Sequence, residues 1–80
     1  MSLLNLNRAI KLLDAVSDFQ FKPSDKRPTI SICYEQKNDY ALYIRKGEVS
    51  QDYRNHLEKI VKSNNLHMRE SNEHLTIYDH

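Results

Sequence analysis

Apolar residues near the start of the chain recur at three- and four-residue spacing. Leu3, Leu6, Ile10 and Leu13 keep the period of an amphipathic helix and predict one from about Leu3 to Ser17. Ala9, Leu12 and Val16 widen that stripe to roughly half the circumference at about 100° per residue. A helix resting on one sheet face needs a narrower stripe. The excess leaves two readings: a second contact with a neighbouring helix or subunit, or Leu12 packed under the following loop.

The segment after this helix, Lys22-Pro23-Ser24-Asp25-Lys26-Arg27-Pro28, combines prolines and charges and reads as an exposed connection. Phe19 and Phe21, at alternate positions just before it, are compatible with a short edge strand. The period then changes to two. In Thr29 to Glu35, Ile30, Ile32 and Tyr34 face one way and Ser31, Cys33 and Glu35 the other. From Tyr40 to Arg45, Tyr40, Leu42 and Ile44 oppose Ala41, Tyr43 and Arg45 in the same manner. Residues directly opposed across a hairpin share a face, so Ile32 must face an even-numbered residue. Ile44 is the expected partner, with Tyr34 opposite Leu42 and a three-residue loop at Lys37-Asn38-Asp39.

Ser50 is the expected N-cap of a second helix, with Asp52 in its first turn. Tyr53, Leu57, Ile60 and Val61 form its compact stripe, and Asn64-Asn65 its stop. A second hairpin follows, Leu66 to Glu70 and His74 to Asp79. There even must face odd, which calls for a two-residue loop at Asn72-Glu73 and pairs Met68 with Ile77. The two helix–hairpin units resemble each other in pattern alone. The expected fold is a single small α+β domain over residues 1–80, a two-layer sandwich of order α-β-β-α-β-β. Its four-stranded antiparallel sheet carries two helices on one face.

Composition narrows the function without naming it. With 12 basic and 11 acidic side chains, the chain lacks the positive excess of a dedicated duplex-binding module. Its lone cysteine, Cys33, excludes an internal disulfide and fits a reducing compartment, and a cytoplasmic location is expected. No apolar run is long enough to cross a bilayer, and no membrane role is expected. The opening Met1-Ser2-Leu3 has the look of an expression leader, and whether the chain is a whole protein or an excised domain is left open.

If the helices cover the apolar sheet face, the other face carries a set rich in Tyr, Arg and His. Cys33, Tyr43, Arg45, His67, Arg69, His74 and Tyr78 are the candidate contact surface, accompanied by Ser31, Glu35, Ala41 and Thr76. On the expected register Cys33 sits beside Tyr43, Ser31 beside Arg45 and His67 beside Tyr78. Four explanations compete for this surface: a merely solvated face, a protein contact, single-stranded nucleic acid stacked on the tyrosines, and, last, the small-molecule site of a small enzyme or ligand-binding domain.

Catalytic and metal-binding arrangements are thin. Cys33 has no histidine on its own hairpin and reads as a structural thiol. His56, His67, His74 and His80 lack the spacing of a zinc site. One glycine cannot build a phosphate loop, and Asp14 with Asp18 reads as solvated helix-end charge. No catalytic residue, cofactor or metal is expected.

The run Leu12-Leu13-Asp14-Ala15-Val16-Ser17-Asp18-Phe19-Gln20-Phe21 loosely resembles the signature of the LAGLIDADG homing endonucleases. That resemblance implies the same element order and a metal-binding role for Asp18. The chain departs from the pattern at Leu13 and Phe19, where the family has small residues that let two helices pack closely, and it lacks a basic DNA saddle. The expectation is therefore a non-enzymatic regulatory or adaptor-type protein. It acts through protein contacts, most simply as a homodimer through the first helix or the open sheet face.

Overall fold

The computed structural model describes residues 4–79. Helix α1 (Leu6–Ser17) leads into strands β1 (Ile30–Gln36) and β2 (Asp39–Arg45). A short 3-10 turn (Lys46–Glu48) then precedes helix α2 (Gln51–Ser63) and strands β3 (His67–Glu70) and β4 (His74–Tyr78). The four strands form one antiparallel sheet in the order β1-β2-β4-β3, so β1 and β3 are its edges. The expected α-β-β-α-β-β sandwich is the fold observed. Leu3 and His80, which entered the helix and histidine readings, lie outside the described residues.

Each element starts where local chemistry allows. The Asn5 side chain accepts the Arg8 N–H at 2.9 Å and caps α1, so the helix opens at Leu6. Ser50 caps α2 in the same way through the Tyr53 N–H at 3.2 Å. Asn65 takes a left-handed conformation (φ 55°) just past the end of α2, a conformation that asparagine tolerates.

The core lies between sheet and helices. Leu42 and Ile44 of β2 and Leu75 and Ile77 of β4 share one buried cluster with Ala9, Leu12 and Val16 of α1 and Tyr53 and Leu57 of α2. Two polar groups join it. The Tyr53 hydroxyl donates to the Val16 carbonyl at 2.7 Å and ties the helices together. Asp39, fully buried, accepts the Leu4 N–H at 3.3 Å, while Tyr40 N–H donates to the Leu4 carbonyl at 2.8 Å. These bonds hold the approach to α1 against the start of β2.

Two local expectations are corrected. In the first hairpin Ile32 faces Leu42 rather than Ile44, and Tyr34 faces Tyr40 rather than Leu42. The turn is the two residues Lys37-Asn38, with Asn38 left-handed (φ 60°), and Gln36 pairs with Asp39. A bulge between Tyr34 and Gln36 supplies the odd residue that the parity argument assigns to the loop. Phe19 and Phe21 form no strand. Their rings pack edge-on at 5.0 Å and cover Tyr53, at 5.1 and 5.2 Å. The second hairpin keeps its expected register, with Met68 opposite Ile77 and His67 opposite Tyr78.

Burial raises the Tyr53 hydroxyl from 10.0 to about 12. The folded state therefore holds this proton more tightly than the unfolded chain. The stability it contributes is complete below pH 10.0 and is lost as pH rises towards about 12. Tyr53→Phe should cost about 1–2 kcal/mol at neutral pH, because the buried Val16 carbonyl loses its donor. Urea unfolding across the alkaline range should then show a shallower loss of stability for the variant than for the parent chain.

Candidate functional site

The face of the sheet away from the helices carries all seven candidate contact residues. Tyr43 and Arg45 lie on β2, Cys33 on β1, His67 and Arg69 on β3, and His74 and Tyr78 on β4. The observed register changes their neighbours. Cys33 lies beside Ala41 and Ser31 beside Tyr43, whereas Arg45 faces His74 across the β2–β4 ladder. The departure follows from the bulge, which moves β1 by two residues relative to β2 without turning any side chain over.

Glu35 organises this surface. Its Oε1 accepts the Tyr43 hydroxyl at 3.0 Å and one guanidinium nitrogen of Arg69 at 3.4 Å. Arg69 also lies over the Tyr78 ring, 4.9 Å from its centroid. His67 packs on Tyr78 at 5.5 Å and His74 on Tyr43 at 5.7 Å. One carboxylate thus links the edge strand β1, through β2, to the edge strand β3. Beneath this layer Ala41 and Thr76 are buried, at 0% and 3% exposure. The sheet face is a paved surface of rings and charges rather than an open trough. Sequence reasoning placed Glu35 on the face without recognising its role. The available signal was its being the one acid among tyrosines and arginines.

Ion pairs bind the periphery. Glu70 of β3 receives Lys46 and Arg54, and those hydrogen bonds hold its carboxyl below the usual range. Glu48 is likewise lowered, chiefly by the Thr29 N–H at 3.0 Å. Both serve to fasten the 3-10 turn to its neighbours.

Among the described residues no three His, Cys, Asp or Glu side chains converge on a point that would hold a metal ion. Asp18 is the C-cap of α1, its N–H bonded to the carbonyls of Ala15 and Asp14. A hollow of about 170 Å³ between α1, α2 and the Arg27-Pro28 segment is lined by Ser17, Phe21, Arg27, Pro28, Ile30 and Tyr53. Its lining includes no histidine, thiol or carboxylate. No helix of the described residues is long and apolar enough to cross a membrane.

A second exposed surface lies on the other layer. The buried residues of α1 are Ala9, Leu12 and Val16, the positions that widened the stripe. Leu6 and Ile10, from the stripe's primary spacing, are each 46% exposed, and Tyr34 at the edge of the sheet is 65% exposed. Arg8, on the opposite flank of α1, pairs with Asp79 at 2.7 Å beyond the end of β4, and His56 of α2 bonds the Ala15 carbonyl at 3.1 Å. Leu6 and Ile10 therefore point the other way, towards the β1 edge, with Leu13 half-buried between them and the core. Leu12 is in the core, and the excess apolar width projects into solvent.

Comparison with protein-family models, with curated proteins and with solved structures returns no match.

The Glu35–Arg69 pair is solvent-exposed and should contribute little on its own. A double-mutant cycle with Glu35→Gln and Arg69→Met should give a coupling of at most about 1 kcal/mol, falling as salt rises. A larger, salt-independent coupling would show that the network is desolvated.

Proposed function

We propose that this chain is a non-enzymatic regulatory or adaptor-type domain that acts through protein contacts, as a homodimer. One observation carries the reading: an apolar flank comprising Leu6, Ile10 and Tyr34 stays at 46–65% exposure on a fold with ample polar residues to cover it. Grouped exposed apolar side chains mark contact surfaces in small domains, whereas isolated ones need no explanation. A chain this short buries only roughly 60% of its unfolded surface, so association adds to a thin stability margin. A reducing compartment such as the cytoplasm suits its unpaired Cys33 thiol.

Single-stranded nucleic acid on the Tyr/Arg sheet face is the weaker reading. Base stacking needs free rings and phosphate binding needs free cations. Here Tyr43 and Arg69 are both engaged by Glu35, and the rings of Tyr43 and Tyr78 are flanked by His74, His67 and Arg69.

Sedimentation velocity over a micromolar concentration series should show a monomer–dimer equilibrium. Ile10→Lys should weaken it more than about tenfold while changing stability by no more than about 0.5 kcal/mol, because the residue lies outside the core. A concentration-independent monomer would overturn the proposal.

A further inference from the structure

The exposed flank of α1 continues into an open sheet edge, and the backbone there specifies what would cover it. The Arg45 N–H donates to the Thr29 carbonyl at 3.0 Å, so the Thr29 carbonyl points at β2. Inward and outward residues alternate in an antiparallel ladder. Ser31 and Cys33 accordingly point inward with Thr29, and Ile30, Ile32 and Tyr34 direct their N–H and C=O groups away from the sheet. Since among the described residues β1 has a neighbouring strand on one side only, these groups form a half-ladder open to a further strand. Only an extended strand matches it.

We propose that the strand is β1 of a second copy, paired antiparallel across a two-fold axis at Ile32, giving a continuous eight-stranded sheet. This rests on the homodimer reading and assigns its geometry. The bulge sets the register, because regular pairing geometry ends at Tyr34 and the run Ile30–Tyr34 has Ile32 at its centre. A two-fold there places Ile32 against its own copy and Ile30 against Tyr34 of the second copy. Outward residue meets outward residue throughout, as the hydrogen bonds require. No charged side chain falls within this run.

The helices fit the same axis. Leu4 is bonded to Tyr40, at the level of Tyr34 but on the β4 side of β2, so α1 starts at that end of the sheet and runs back over β2 and β1. Ile10 is one turn in from Leu6, about 6 Å, and Ile32 is two residues in from Tyr34, about 7 Å. The midpoint of the helix flank therefore lies near the level of the strand's midpoint. α1 packs over both β1 and β2. A helix lying between the β1–β2 midline and β2, with strands about 4.8 Å apart, is about 5–7 Å from an axis running along the new strand junction. The two copies of α1 would then be about 10–14 Å apart, with only their Leu6 and Ile10 flanks between them. Leu6 and Ile10 would meet their counterparts while the strands zip below.

The edge is about 23 Å long and its two layers about 18 Å deep, giving roughly 400 Å² of contact a side. That is the low end of specific interfaces, so dissociation in the micromolar range is expected.

The test is a thiol cross-link. In this register Ser31 lies opposite Cys33 of the second copy as a non-hydrogen-bonded pair, with Cα atoms about 4.5 Å apart. That separation is within disulfide reach. Two copies of Cys33 are diagonal neighbours, about 7–8 Å apart, and are not. Under oxidised glutathione, which takes the two electrons and is released as two thiols, Ser31→Cys should convert to a covalent dimer at least tenfold faster than the parent chain. Ser31→Cys combined with Cys33→Ser should behave like the parent, since the bridge needs both positions. If the parent chain sediments as a dimer and Ser31→Cys cross-links no faster than it, this edge and register are wrong while the homodimer stands. If the parent chain is monomeric up to about 100 μM, both fall.

Discussion

Three ties fix how α1 is turned about its own axis. Leu4 is bonded to Tyr40 at one end, Arg8 to Asp79 along one flank, and the Val16 carbonyl to the Tyr53 hydroxyl at the other end. With the axis held at both ends and one side claimed by an ion pair, Ala9, Leu12 and Val16 must point at the sheet. The rest of an apolar stripe too wide for one face is left outside. Leu6 and Ile10 project beside the β1 edge as a consequence of that rotation. The core and the exposed flank are two outcomes of one constraint.

The two surfaces of the sandwich differ in chemical state. On the sheet face, Glu35 gathers Tyr43 and Arg69, and the histidine rings pack against the tyrosines. Such a layer is satisfied within the monomer. The α1–β1 flank is not: its apolar side chains meet water, and among the described residues the outer side of the edge strand has no strand to pair with. The proposed association therefore uses the flank rather than the sheet face.

Much of the fold was legible because periodicity and parity are strong signals. Alternation in β1, β2 and β4 identified which residues share a face, and the second hairpin's parity gave its turn and register. The first hairpin shows where such reasoning stops. A slip of two residues leaves every side chain on its original face, so the apolar pattern does not distinguish Ile32 opposite Ile44 from Ile32 opposite Leu42. Tertiary contacts choose, and here they choose a bulge. The rotation of α1 was hidden for a related reason. Leu6, Ile10 and Leu13 have as good a helical period as Ala9, Leu12 and Val16, and the deciding Arg8–Asp79 pair joins residues at opposite ends of the chain. Phe19 and Phe21 misled because alternation over two aromatics fits a strand and a loop closing on Tyr53 equally well.

The most direct test of the account is amide hydrogen exchange on β1 as a function of protein concentration. The outward N–H groups of Ile30, Ile32 and Tyr34 should exchange fast in dilute solution and gain protection as concentration rises. Those of Ser31 and Cys33, already directed at β2, should change little. Equal, concentration-independent exchange of the outward amides in a protein that dimerises would contradict the account, since the dimer would then be using some other surface.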